Sequence, residues 1–128
     1  MTTLSEASKT RAQNEVQRLL YDVSTVRAVV LATIDGFDIA SAMRDELEPA
    51  RIAAMASSIS AISEVVSQEA RLGRGKCVTL DTEEGFALVH AVHHPQVPLV
   101  VNVIAGKDAI LGQITYRVTQ LARSLAEI

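Results

Sequence analysis

One stretch constrains this chain more than any other. From Ile52 through Ser63 the run Ile-Ala-Ala-Met-Ala-Ser-Ser-Ile-Ser-Ala-Ile-Ser carries no charged side chain. Pro49 suits a first helical turn, where its missing N–H costs nothing, so the spacing predicts a helix from Pro49 to Glu69. At about 100° per residue, Ile52, Met55, Ile59, Ile62 and Val66 form one stripe of large side chains. Ala50, Ala54, Ser57, Ala61 and Val65 form a second, small except for the last. A helix with one wet face shows a Lys or Glu every turn or so, and a charge-free one is covered on two sides. The large stripe is expected against the domain's own core. The small, nearly flat stripe admits close approach of a second backbone, most simply the same helix from another copy. The alternative is a helix buried twice within one monomer, but 128 residues leave little chain to do it.

That length fits one domain with an ample core at 48% apolar residues, so neither disulfides nor metals are needed. Aromatics make up 3% and Trp is absent, which argues against a stacking platform for bases or sugars. A net charge of -3 with no basic run argues against nucleic acid or an anionic membrane as partner. The start of the chain has no apolar leader, and Val97 to Ala105 is too short and too interrupted to span a bilayer, so no membrane insertion and a cytoplasmic location are expected. The single Cys77 agrees with a reducing compartment and leaves only an intermolecular disulfide open.

In order, residues 1–8 read as a flexible leader and 9–128 as the domain. The spacing of Ala12, Val16, Leu19, Leu20 and Val23 from Lys9 onward predicts a one-sided surface helix. Val26 to Thr33 is apolar on both faces, as a central strand would be. Asp35-Gly36 is a hairpin signal that returns Phe37 to Ser41 as a second strand. After the charge-free helix, Arg71-Leu72-Gly73-Arg74-Gly75 is a stop, with Gly73 as its left-handed cap. Lys76 to Asp81 alternates like an edge strand whose free N–H and C=O groups could accept another chain. Phe86 to Val92 and Pro98 to Ile104 follow as strands. Ala105-Gly106-Lys107-Asp108 is expected to open a last helix, with Ile110, Ile114, Val118, Leu121, Leu125 and Ile128 on one narrow face. The order α-β-β-α-β-β-β-α predicts an α+β domain, one five-stranded antiparallel sheet with helices on both faces.

No reactive constellation assembles from these residues. Gly73-Arg74-Gly75-Lys76-Cys77 lacks the first glycine and the Ser/Thr of a phosphate loop, and it joins helix to strand instead of strand to helix. His90 and His94 start roughly 13 Å apart on a strand and its turn, too far to share one ion, so turn histidines are expected and no metal. Cys77 has only Lys76 nearby to lower its pKa and reads as structural. Asp35 is a turn former without a paired carboxylate. Asp45, Glu46 and Glu48 read as a solvated helix entrance, with a partner-binding rim as the other option. By elimination the chain is an interaction module, neither an enzyme nor a cofactor binder.

The element order resembles Roadblock/LC7 domains, especially bacterial ones, over about residues 10–127. The pieces that carry it are Ala-Val-Val-Leu-Ala-Thr-Ile-Asp-Gly-Phe at 28–37, with its turn at Asp35 and Gly36, Ala-Ala-Met-Ala-Ser-Ser-Ile at 53–59, and Ala-Gly-Lys-Asp-Ala-Ile-Leu-Gly at 105–112, with turns at Gly106 and Gly112. The resemblance implies a homodimer joined edge to edge through the third strand, with the second helices packed on one another. Carried onto this chain, the interface would use Ala54, Ser57, Ser58, Ala61 and Val65 with Cys77 and Thr79. It also implies a Ras-like small GTPase as partner, scaffolded or stimulated to hydrolyse, or a role like that of a dynein light chain. An arginine finger from Arg44, Arg51, Arg71 or Arg74 is conceivable in principle, but each reads more simply as a solvated helix-end charge. The competing reading is a small-ligand sensor, which would need polar residues at core-facing positions; Asn102 is almost alone there.

Overall fold

The computed structural model describes residues 3–128. Along the chain come α1 (Glu6–Asp22), β1 (Val26–Thr33), β2 (Asp38–Met43), α2 (Pro49–Glu69), β3 (Cys77–Thr82), β4 (Gly85–Val92), β5 (Leu99–Gly106) and α3 (Leu111–Leu125). The strands form one antiparallel sheet in the order β2-β1-β5-β4-β3, with α1 and α3 on one face and α2 on the other. This is the α+β architecture expected from the residue pattern.

The two inner strands are the two whose sequences are apolar on both faces. In β1, Val29 and Leu31 pack under α1 and α3, whereas Val30 and Ala32 pack under α2. β5 divides the same way, Val101 and Val103 to the first layer and Val100 to the second. On α3, Ile114, Val118, Leu121 and Leu125 are buried as one face, and the helix places the larger core layer between itself, α1 and the sheet. At the β3–β4 turn Gly85 (φ +147°) lies against β5. A Cβ there would come within 2.1 Å of the Ala105 carbonyl oxygen, so only glycine fits.

Four expectations are corrected. The first helix begins at Glu6, earlier than Lys9, because Ser5 caps it by accepting a hydrogen bond from the Ser8 N–H (3.1 Å) and Leu4 is buried in the main core. Within the segment read as a leader, Leu4 is thus core and residues 6–8 are helix, while Met1 and Thr2 lie outside the described residues. The last helix begins at Leu111 and not at Ala105, since Ala105 and Gly106 still pair in the sheet with Phe86 and Gly85. Gly112 accordingly sits in the first turn of α3, not in a loop. Gly73 is left-handed as expected (φ +83°), but the cap of α2 is the left-handed Arg71 (φ +56°) two residues earlier, where the Leu72 N–H reaches the Ser67 carbonyl (2.8 Å), the six-to-one bond of a Schellman motif.

The fourth correction concerns α2 itself. The side that meets the sheet is Ile52, Ala53 and Ala56, continued by half-buried Ile59, Ser60 and Ser63. Met55, Ile62 and Val66 do not face the sheet; they are exposed. Ala53 and Ala56 let the helix backbone settle close over Val30, Val89 and Val100, and a helix seated on alanines turns its longer side chains outward.

Candidate functional site

The outer side of α2 is the part of this surface that physical chemistry explains least as a free face. Met55, Ile62, Val65 and Val66 are exposed at 51%, 65%, 61% and 56%, with Ala54, Ser58 and Ala61 exposed between them. Beside α2 the same face of the sheet carries a transverse apolar row in register across all five strands: Met43, Ala28, Ile104, Ala87 and Leu80. Its outermost member, Leu80 on β3, is exposed. Large side chains on a helix that has already buried its other side mark an interaction surface.

Of the residues assigned to an interface, Ala54, Ser58, Ala61 and Val65 lie on this exposed side, and Cys77 and Thr79 are exposed on β3, an edge strand as expected. Ser57 does not join them. It is half-buried, and its hydroxyl donates to the Ile34 carbonyl, tying α2 to the β1–β2 hairpin. In that hairpin Gly36 (φ +96°) abuts Ala54 and Ser57, so a side chain there would be strained and crowded, while Asp35 is exposed at the tip. Gly106 ends β5, donating its N–H to the Thr25 carbonyl.

Most of the charged residues weighed for chemistry have structural partners. Arg44 forks over the end of α1, donating from Nε to the Val26 carbonyl (2.9 Å) and from Nη2 to the Leu20 and Val23 carbonyls. Arg27 holds Asp45 through a bidentate pair, and this hydrogen-bonded guanidinium pulls the Asp45 carboxyl below its usual range. Arg51 pairs with Glu48. Glu64 accepts from the Gly75 N–H (3.2 Å), so the glycine-rich loop spends that amide internally.

The histidines do not converge. His94 is buried and bonded on both ring nitrogens, and His90 contacts the neighbouring Ala91 carbonyl through Nδ1. His93 has its pKa pushed below the ordinary imidazole value, first by burial and then by Arg74 and His90, with Glu64 opposing. Cys77 stands opposite His90 in the ladder; although the residue reaches solvent, partial desolvation by its neighbours pushes its thiol up, away from the thiolate a nucleophile needs. Among the described residues no group of three or more His, Cys, Asp or Glu could hold a metal, and no helix is long and apolar enough to cross a membrane.

A cleft of about 650 Å³ lies between the β1–β2 hairpin and the segment before β5, lined by Leu4, Ile34, Phe37, Ile39, Val97 and Pro98. None of its lining residues carries a buried side-chain polar atom without a partner. Asn102, whose Oδ1 is buried and unpartnered, lies on the α2 side of β5 and is not among them.

What these features define is a three-helix, five-stranded α+β sandwich with an exposed apolar helix face beside an open sheet edge. No protein-family model matches the chain, and no curated protein matches it by sequence. Solved structures do match. Myxococcus xanthus MglB superposes with a TM-score of 0.86 at 16% identity, over 98% of this chain and 92% of its own. An MglB in a tetrameric arrangement gives 0.86 at 17% identity, over 98% and 92%. A Roadblock/LC7 domain from Streptomyces avermitilis gives 0.78 at 18% identity, over 88% and 92%. The chain has the Roadblock/LC7 fold.

Proposed function

We propose that the protein is a homodimeric, non-catalytic interaction module that regulates or scaffolds a Ras-like small GTPase. The observation that carries self-association is the outer face of α2, where Met55, Ile62, Val65 and Val66 stand in solvent beside the apolar row ending at Leu80. A copy of the same helix is the simplest cover for so extended an apolar face, and an MglB of the same fold forms a tetrameric arrangement. The GTPase partner rests on the likeness to Roadblock/LC7 domains. No cofactor enters this reading, and the cytoplasm is the compartment it places the protein in. An Arg44 finger has no place in it, because that guanidinium's observed bonds go to the carbonyls of Leu20 in α1, Val23 just after it and Val26 in β1.

Two measurements test the proposal. Sedimentation equilibrium at micromolar concentration is expected to give a dimer, and a monomer overturns the self-association. Pull-down with the small GTPases of the source organism, loaded with GTP or GDP, is expected to retain one in a nucleotide-dependent way. Equal or absent retention of all of them overturns the partner assignment.

A further inference from the structure

The cleft between the β1–β2 hairpin and the segment before β5 has a preformed floor and an apolar mouth. Leu4 and Val97 form the floor and are buried in the main core. The walls are fixed to each other and to the body of the protein. The Ile34 N–H donates to the Pro98 carbonyl (3.4 Å), the Val97 N–H to the His94 ring (3.3 Å) and the Phe37 N–H to the Thr33 hydroxyl (3.2 Å). At the mouth Ile34 and Phe37 stand in solvent, Phe37 at 71% exposure. Two large apolar side chains above an apolar recess mark a surface built to be covered, and the described residues do not cover it.

Charge on the rim selects the cover. Asp35 and Asp38 both line the cleft, on either side of Phe37 in the chain, and neither has an ion-pair partner among the described residues. Lys9, which also lines it, is paired with Glu6 (3.6 Å). A Lys or Arg brought to this rim gains two carboxylates and the face of the Phe37 ring. The lining offers no buried, unpartnered polar atom by which a small molecule would be recognised at depth. Strand addition beside the cleft is blocked too, because the Gln13 side chain occupies both backbone groups of Ser41 on the edge strand β2. What docks here does so through its side chains.

We propose that this cleft is a docking site for a segment of a different protein that presents a bulky apolar side chain beside a Lys or Arg. The apolar side chain enters over Leu4 and Val97, between Ile34 and Phe37, and the cation stays at the rim with Asp35 and Asp38. The same carboxylates turn acidic segments away. Leu4 and Val97 belong to the layer of α1 and α3, so the site lies across the sheet from the outer face of α2 and stands whether or not the chain self-associates.

Selection of a random peptide library displayed on phage against the full chain tests the site. Enriched sequences are expected to place Leu, Ile, Phe or Trp within one helical turn of a Lys or Arg. For a synthetic peptide of the best such sequence, fluorescence polarisation is expected to show binding weakened at least tenfold by Phe37→Ser and by Asp38→Lys, and unchanged by Ile62→Arg on α2. Changing that peptide's Lys or Arg to Glu is expected to abolish binding to the parent protein and to recover it on the Asp38→Lys variant. Phe37 and Asp38 are both exposed, and matching thermal melts separate lost binding from lost folding. No enrichment, enrichment of acidic peptides, or binding indifferent to both Phe37→Ser and Asp38→Lys overturns the proposal. It is overturned as well if phenethylamine shifts the Phe37 NMR signals while no peptide is enriched, which makes this a small-amine site, or if Phe37→Ser lowers the sedimentation mass, which makes the occupant a second copy.

Discussion

His94 joins the turn after β4 to the residue that follows α3 by three: its Nε2 meets the Ile128 carbonyl at 2.9 Å, while its Nδ1 accepts from the N–H groups of Gln96 (3.2 Å) and Val97 (3.3 Å). These roles define the neutral ring, protonated on Nε2. His94→Ala leaves three backbone groups without their partner, that of Val97 buried and those of Gln96 and Ile128 part-buried, and is expected to cost about 1–3 kcal/mol in urea unfolding. A loss under about 0.5 kcal/mol would show that the staple contributes little.

The Gln13 amide bonds Ser41 through two good hydrogen bonds of 2.8 and 3.1 Å. Gln13→Ala is expected to lower stability by about 1–2 kcal/mol and, by freeing the β2 edge, to add species larger than the parent oligomer in light scattering. An unchanged mass distribution would mean that other parts of α1 suffice to block the edge.

Ile62 projects from α2 into solvent, so a charge there strains nothing inside the monomer. Ile62→Arg is expected to keep the parent's far-UV spectrum while weakening self-association at least tenfold by sedimentation; Ala61→Arg should act alike. Undiminished association from both would place the interface elsewhere.

Arg71 holds a left-handed backbone that glycine adopts without steric cost. Arg71→Gly is expected to stabilise by about 1 kcal/mol, and Gly73→Ala, also at positive φ, to destabilise by about as much. The opposite signs would place the cap at Gly73.

His93 is held toward its neutral form by burial and by Arg74 and His90. Its NMR titration midpoint should lie below 6.5, and Arg74→Ala should raise it toward that value. A pKa lowered on folding means that the unfolded chain takes up the proton first. The stabilising effect is thus complete above pH 6.5 and is lost as pH falls through the folded midpoint. A midpoint at or above 6.5 contradicts this environment.

Much of this architecture is legible because its signals are local. The two-faced apolar run of β1, the Asp35-Gly36 turn and the single stripe of α3 are each read from a short stretch of chain, whereas the strand order β2-β1-β5-β4-β3 appears only in the folded sheet. The orientation of α2 is not legible in the same way. The rule that large side chains go inward competes with the close seating that Ala53 and Ala56 allow, and only the sheet beneath decides between them. Gln13 meeting Ser41 and Arg44 capping α1 need elements far apart in sequence to be brought together, which periodicity cannot show. Ala105 and Gly106 look like a helix start until their pairing with β4 is seen.

The closeness of Ala53 and Ala56 to the sheet has one more effect. These two methyl groups set the standoff of the whole helix, and with it the height at which Met55, Ile62 and Val66 are presented. In the proposed dimer, enlarging either alanine would lift that ridge as a shim lifts a beam, so a change in the protein's interior would register in its assembly constant as well as in its melting temperature.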